Sequence, residues 1–264
     1  MQKYRKIVQF IFLAPLIIVP ILNLLEIYFI KGTYISMDAG GLSISDPIAV
    51  FQALFLSHSV RPIMLASIAV PILIAFLFGR LWCSWGCPYY LLLVGIEKLR
   101  KVLKLKPLKP KYNVKISRRA NIIRLAVLLG GFILVGILGR PLLYLISPPS
   151  IMSSQAVLLI KYFYLTAEFL IFPVMIIIEF FFGYRIWCRY LCPTGTCLSM
   201  FQTKYGMHVE YSGDCCHCNK CVQVCPMILD PRTDSLSPEC NNCGECVSHC
   251  IDNKHRPTLY FKVR

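Results

Sequence analysis

The sequence predicts an all-α membrane domain of four transmembrane helices, two hairpins with an internal repeat, over residues 1–205. A small α+β domain over 206–264 follows it. Three observations predict this. Of 264 residues, 56% are hydrophobic and only 16% charged, where soluble domains carry about 25% charged residues. The apolar residues gather in four charge-poor stretches of about 20 residues, the length that crosses roughly 30 Å of hydrocarbon. Nine of the 14 cysteines fall in the last 50 residues, eight of them in two runs of one regular spacing. An ordinary soluble enzyme, a disordered tail and a small secreted disulfide scaffold are thereby excluded.

The first stretch, Ile7–Ile30, is broken only by Gln9, Asn23 and Glu26, and follows Lys3, Arg5 and Lys6. Its apolar run exceeds the about 7–15 residues of a signal peptide and no small-residue cleavage site follows, so it reads as an uncleaved span. Lys31–Ser59 comes next, with a short interfacial helix expected at Ile48–Ser57. The second span, Val60–Gly79, carries only Arg61 at its edge. The segment Arg80–Arg124 holds twelve Lys and Arg, and Pro107 and Pro110 divide it into a solvated connector. Leu125–Ser147 is the third span and Tyr162–Phe182, with Glu168 and Glu179, the fourth; Pro148–Lys161 links them. Of the 28 basic residues, 24 lie in the first six residues, in 80–124 or from Arg185 onward. The positive-inside rule then makes both termini cytoplasmic in a multi-pass inner-membrane protein, with Lys31–Ser59 and Pro148–Lys161 facing out. The net charge of +15 is explained by topology and anionic lipid, without nucleic acid.

Cys215-x2-Cys218-x2-Cys221-x3-Cys225-Pro226 is followed by Cys240-x2-Cys243-x2-Cys246-x3-Cys250. This is the spacing of two-cluster bacterial ferredoxins, in which three close thiolates hold one cubane and the fourth crosses to the other. It assigns Cys215, Cys218, Cys221 and Cys250 to one [4Fe–4S] cluster and Cys240, Cys243, Cys246 and Cys225 to a second. Zinc ribbons want cysteine pairs separated by a long arm, and disulfides are disfavoured in a reducing compartment.

Four more cysteines lie in the repeat. Arg80-Leu81-Trp82-Cys83-Ser84-Trp85-Gly86-Cys87-Pro88 returns 105 residues later as Arg185-Ile186-Trp187-Cys188-Arg189-Tyr190-Leu191-Cys192-Pro193, with five of nine positions identical. Each proline suits the first turn of a following helix, whose N-terminal dipole favours thiolate. Cys83, Cys87, Cys188 and Cys192 together could supply a further iron or iron–sulfur site; a redox dithiol and close helix packing are the open alternatives. Trp82, Trp85, Trp187 and Tyr190 read as interfacial belt residues, and Cys197 and Cys216 as buried structural thiols. None of the five histidines lies in a span, which excludes haem b, and no Rossmann or c-type haem motif occurs. Glu26, Glu168 and Glu179 are the candidates for proton handling.

These motifs, four spans with a C-x3-C-P after the second and fourth and a double-cubane tail, resemble the NapH family of membrane-bound quinol dehydrogenase subunits. Related modules occur in NosR-like and MauN-like proteins. The resemblance covers essentially the whole chain. It implies oxidation of menaquinol or ubiquinol from the membrane quinone pool. A NapG-like ferredoxin-type subunit and a periplasmic reductase, nitrate reductase among them, are the implied partners, and the C-x3-C-P cysteines are implied to be functional. The alternative from another class is a membrane iron–sulfur protein that handles metal or thiols during maturation of another reductase or oxidase.

Overall fold

The computed structural model describes residues 2–26, 30–105, 108, 110–213 and 215–263; Pro107, expected to break the basic connector, lies outside them. Two helices are long and apolar enough to cross a membrane. The first, α1, runs Gln2–Leu24 and tolerates Pro15 and Pro20 within it. Only 22% of its most apolar window is buried, and Ile7, Phe10, Ile11 and Ile18 stand exposed. A soluble core helix would bury that face, so it asks for an apolar solvent.

The segment expected as an outward loop folds instead. Strands β1 (Ile30–Thr33), β2 (Ser36–Ala39) and β3 (Leu42–Ser45) form an antiparallel sheet. Ala39 pairs with Leu42 across Gly40 and Gly41, whose φ angles of 60° and 93° suit a two-residue turn that side chains would strain. Helix α2 (Pro47–Ser57) follows, close to the short helix expected at Ile48–Ser57. The Asp46 carboxylate accepts from the Ile48 N–H, and Pro47 occupies the first turn, where a missing N–H costs nothing.

Helix α3 (Pro62–Phe78) is the second predicted span, at 17 residues. Short helix α4 (Leu81–Trp85), α5 (Pro88–Val102) and α6 (Val114–Leu138) come next. The Asn113 side chain caps α6 at the Lys115 N–H, and Gly139 ends it in the left-handed region. The third predicted span, Leu125–Ser147, therefore breaks at Gly139. The chain folds back through a 3-10 turn, Leu142–Ile146, into α7 (Pro148–Tyr162). The fourth predicted span is not one helix either. Phe163 ends α7 in the left-handed region, and a second 3-10 turn, Ala167–Leu170, precedes the 12-residue α8 (Ile171–Phe182). Among the described residues two helices thus reach spanning length, while the second and fourth predicted spans form the shorter α3 and the Ala167–Leu170 turn with α8.

Helix α9 (Pro193–Met200) leads to the C-terminal part, where β4 (His208–Tyr211) pairs antiparallel with β5 (Leu259–Lys262) and encloses α10 (Lys220–Val224) and α11 (Glu245–Ser248). This part is clamped to the helices before it. Arg5 donates to the Cys243 carbonyl at 2.7 Å and to Glu245 at 2.6 Å. Arg124 donates to the Pro238 carbonyl at 2.8 Å, and Asn242 Nδ2 to the Phe78 and Met207 carbonyls. Arg189 meets Glu239 at 2.7 Å with both side chains fully buried. Two apolar clusters sit on either side of the repeat, one around Tyr89, Leu93, Met175 and Trp187, the other around Ile48, Leu128, Leu143 and Cys197.

Candidate metal centre

The two C-x3-C-P segments fold alike because their sequences do. In each, the second cysteine donates its N–H five residues back to a tryptophan carbonyl, Cys87 to Trp82 at 3.0 Å and Cys192 to Trp187 at 2.9 Å. That widened turn ends at the proline, which forces the preceding cysteine into extended backbone. Cys87 has φ −70° and ψ 120°, and Cys192 has φ −65° and ψ 112°. Pro88 and Pro193 then open α5 and α9, as the sequence predicts. The thiols face backbone donors of those first turns: Tyr90 and Tyr89 for Cys87, Gly195 for Cys192.

The four repeat thiols converge. Cys188 feels Cys192, Cys87 and Cys83, and Cys192 feels Cys83, all through their charges. Burial, reinforced by Cys83, pushes Cys192 up to about 12 against the opposing Gly195 N–H and Arg80. Buried thiols packed this closely hold protons until a cation replaces them.

In the tail, Cys225, Cys240, Cys243 and Cys246 also act on one another electrostatically. Burial pushes Cys240 up to about 11. Cys221 feels Cys215, and Cys250 packs against the buried cluster of Cys221, Val209 and Leu259. Cys218 is exposed and shares a hydrogen bond with Cys216. Cys216 is exposed too, correcting its reading as a buried thiol; Cys197 is buried as expected. Both loops wind identically. His217 and Asn219 in the first, Asn242 and Gly244 in the second, flank the middle cysteine with positive φ between 50° and 73°. Among the described residues no group of three His, Cys, Asp or Glu closes around a single metal ion.

The charge around the thiols tests their fit to a cluster. Arg80, Arg124, Arg185 and Arg189 are each at most 4% exposed. Arg189 has Glu239, and Arg185 has the partly exposed Glu97 at 3.3 Å. Among the described residues the hydrogen-bond partners of Arg80 are three carbonyls, of Pro238, Glu239 and Cys188. A cation buried that deeply needs an anion. Arg80 acts on both Cys192 and Cys240, so thiolates on either side would supply it. Arg80 thus stands between the repeat thiols and the tail thiols. Ser84 Oγ donates to the Asn241 carbonyl at 2.6 Å and Trp85 Nε1 to the Asn242 carbonyl at 3.4 Å, binding the same two regions directly.

Of the proton-handling candidates, Glu179 is buried and its Oε1 accepts from the Trp187 N–H at 2.8 Å. Glu26 is exposed in the turn after α1, and Glu168 is half-buried in the 3-10 turn before α8. The aromatic belt reading is corrected. Trp187 is buried with Nε1 donating to the Ile146 carbonyl, and Trp82 packs edge-on against Phe12. Trp85 and Tyr190 are half-buried, Trp85 bonded to the tail and Tyr190 lying 5.5 Å from the Arg189 guanidinium.

Residues just before α2 and α7 both reach the second C-x3-C-P. The Thr194 hydroxyl, two residues beyond Cys192, donates to Asp46 at 2.9 Å and lies 3.0 Å from the Ser147 hydroxyl. Helices α2 and α7 therefore both start at the second C-x3-C-P, presenting their N-termini to it. Sequence reasoning passed over Asp46, Ser147, Thr194 and Tyr34. A signal existed, since Ser45-Asp46-Pro47 and Ser147-Pro148-Pro149 each read as an N-cap followed by a first-turn proline.

A family model described as a 4Fe-4S binding domain matches residues 60–106 and again 165–206, one match on each C-x3-C-P. An uncharacterized protein of Methanocaldococcus jannaschii is 28% identical over 201 residues, 76% of this chain and 81% of its own. The ferredoxin-type protein NapH of Escherichia coli K12 is 25% identical over 244 residues, 86% of this chain and 79% of that one. The methylamine utilization ferredoxin-type protein MauN of Methylobacillus flagellatus is 28% identical over 195 residues, 72% and 64% of the two chains. No solved structure matches.

Proposed function

The chain belongs to the NapH-like ferredoxin-type family of iron–sulfur electron-transfer proteins, and from that premise we propose that it is a membrane-bound subunit oxidising quinol. Its electrons would go to a NapG-like ferredoxin-type partner and then to a periplasmic reductase. In this reading Cys215, Cys218, Cys221 and Cys250 hold one [4Fe–4S] cluster, and Cys240, Cys243, Cys246 and Cys225 a second. Cys83, Cys87, Cys188 and Cys192 hold a further iron–sulfur group. When bound, such clusters supply one-electron chemistry at potentials set by charge and hydrogen bonding around the sulfurs.

The observation that carries the reading is Arg80, whose single buried guanidinium donates to the Cys188 carbonyl in the repeat and to the Pro238 and Glu239 carbonyls just before Cys240. It would neutralise anionic charge on both sides and hold the two thiol sets at a fixed separation. Glu179, by accepting from the Trp187 N–H, fixes the turn that carries Cys188. The exposed apolar faces of α1 and α6 support a place in the inner membrane. The basic segments support cytoplasmic termini, with 1–205 as the membrane part and 206–264 as the cluster-binding tail. The test is anaerobic purification with iron and sulfide quantification, then stopped-flow mixing with a short-tailed menaquinol. About twelve irons and bleaching of the cluster absorbance are expected, since each cubane holds about four. About eight irons would remove metal from the repeat, and no bleaching would remove quinol oxidation.

A further inference from the structure

A cavity of about 250 Å³ lies against the repeat, walled by α1, the β1–β2 turn, β2, β3, α3, α4 and the starts of α2, α7 and α9. Its lining is mostly aliphatic and aromatic; Tyr34, Ser45, Asp46 and Thr194 are the polar members, and the bonded Asp46–Thr194 pair forms a polar end. Two of its walls are helix-internal prolines, Pro15 of α1 and Pro71 of α3. A proline inside a helix cannot bond the carbonyl four residues back and weakens the helix there. Two helices each accept that cost facing the same space, as they would where a wall must leave room for a guest.

The polar end is built. The Asp46 carboxylate is half-buried at the N-terminus of α2 and uses one oxygen for the Ile48 N–H and the other for the Thr194 hydroxyl. A carboxylate has about four acceptor positions, so two are left over. The Tyr34 hydroxyl donates to the Gly86 carbonyl at 2.6 Å, anchoring its ring beside Trp82, whose plane is 28° from its own. Trp82 precedes Cys83 and Thr194 follows Cys192 by two, so both C-x3-C-P segments contribute to the wall. The space suits a one- or two-ring headgroup and is too small for a long isoprenoid tail.

We propose that this cavity binds the headgroup of a quinol, with Asp46 accepting a hydrogen bond from a ring hydroxyl and Tyr34 and Trp82 bounding the ring. The proposal deepens the quinol reading above and rests on it. Acceptor-only chemistry at Asp46 favours the hydroxyl-bearing quinol over the quinone, which offers no donor. Asp46 is a binding residue here, and its capping role is separable because asparagine caps a helix equally well.

The detergent-purified full chain, with its iron content measured, is photolabelled with an azido-naphthoquinone and digested. Label is expected within residues 10–16, 33–47 or 67–82. In parallel, equilibrium titration with short-tailed menaquinol and menaquinone should show the quinol bound about tenfold more tightly. Asp46→Asn should bring that ratio to about one, through weaker quinol binding and unchanged iron. Ala75→Phe, which fills the cavity from α3, should lower affinity for both at least tenfold. Label elsewhere, or a quinol preference unmoved in Asp46→Asn, overturns the site. If quinol still bleaches the clusters in that case, quinol oxidation stands and only the location fails. Absence of both labelling and bleaching in the unmodified chain overturns both.

Discussion

Replacing Glu239 by alanine should loosen the tail from the helices, and the size of the effect follows from burial. Glu239 and Arg189 meet at 2.7 Å with no exposed side-chain surface on either. Removing one partner of such a pair leaves an uncompensated buried charge and costs about 3–5 kcal/mol. The Ser117 hydroxyl, which donates to Glu239 at 3.2 Å, loses its acceptor too, at about 1 kcal/mol. At roughly 2–4 °C per kcal/mol for a chain of this size, the unfolding midpoint should fall by about 8–24 °C. Arg189→Met combined with Glu239→Leu removes both charges and should recover most of the loss, because a buried pair contributes little over well-packed apolar groups. The assay is thermal unfolding in detergent, with hydrogen exchange following the amides of β4 and β5. A drop under about 2 °C, or a double variant no better than the singles, would refute the claim that this pair holds the tail in place.

Thr194→Val keeps the shape but removes the hydroxyl shared by Asp46 and Ser147; a loss of about 2 kcal/mol is expected from two buried hydrogen bonds, read by denaturant unfolding. Gly183→Ala should destabilise strongly, because φ is +67° and a Cβ there would overlap the Arg100 guanidinium; lowered yield and thermal midpoint would register it. Burial pushes Asp230 up, but hydrogen bonds from Arg232 and its charge more than reverse this and hold the carboxyl below its ordinary range. The stability it contributes is therefore complete above the unfolded carboxylate pKa of about 4 and lost as pH falls through the lower folded value. Asp230→Asn should flatten thermal midpoints measured below about pH 5. Cys240→Ser should lower bound iron by about four per chain while Cys216→Ser leaves it unchanged, and equal losses would contradict the ligand assignment.

Period and spacing carried much of this into the sequence. The cysteine spacings are local and chemical, and a repeat with five identities in nine positions can be read without any fold. The first-turn prolines 88 and 193 are legible for the same reason, since proline restricts its own neighbours. Hydropathy counts apolar residues and cannot see where a helix stops. Gly139 therefore cuts the third stretch short, and in the fourth, helical structure resumes only at Ala167. Gly40-Gly41 carries a hairpin signal that the hydropathy and charge patterns do not register.

The sequence by itself determined the chemistry: thiols in sets, apolar helices, and basic residues enough to balance anionic groups. The tertiary structure alone decided which of those residues meet. It brought Asp46, Ser147 and Thr194 together from three separate segments, placed Arg80 between two thiol sets, buried Trp187 and packed Trp82 against Phe12. These are contacts between residues some fifty to nearly 160 positions apart. No local pattern encodes them, because their stability comes from desolvation and pairing that exist only once the chain has closed on itself.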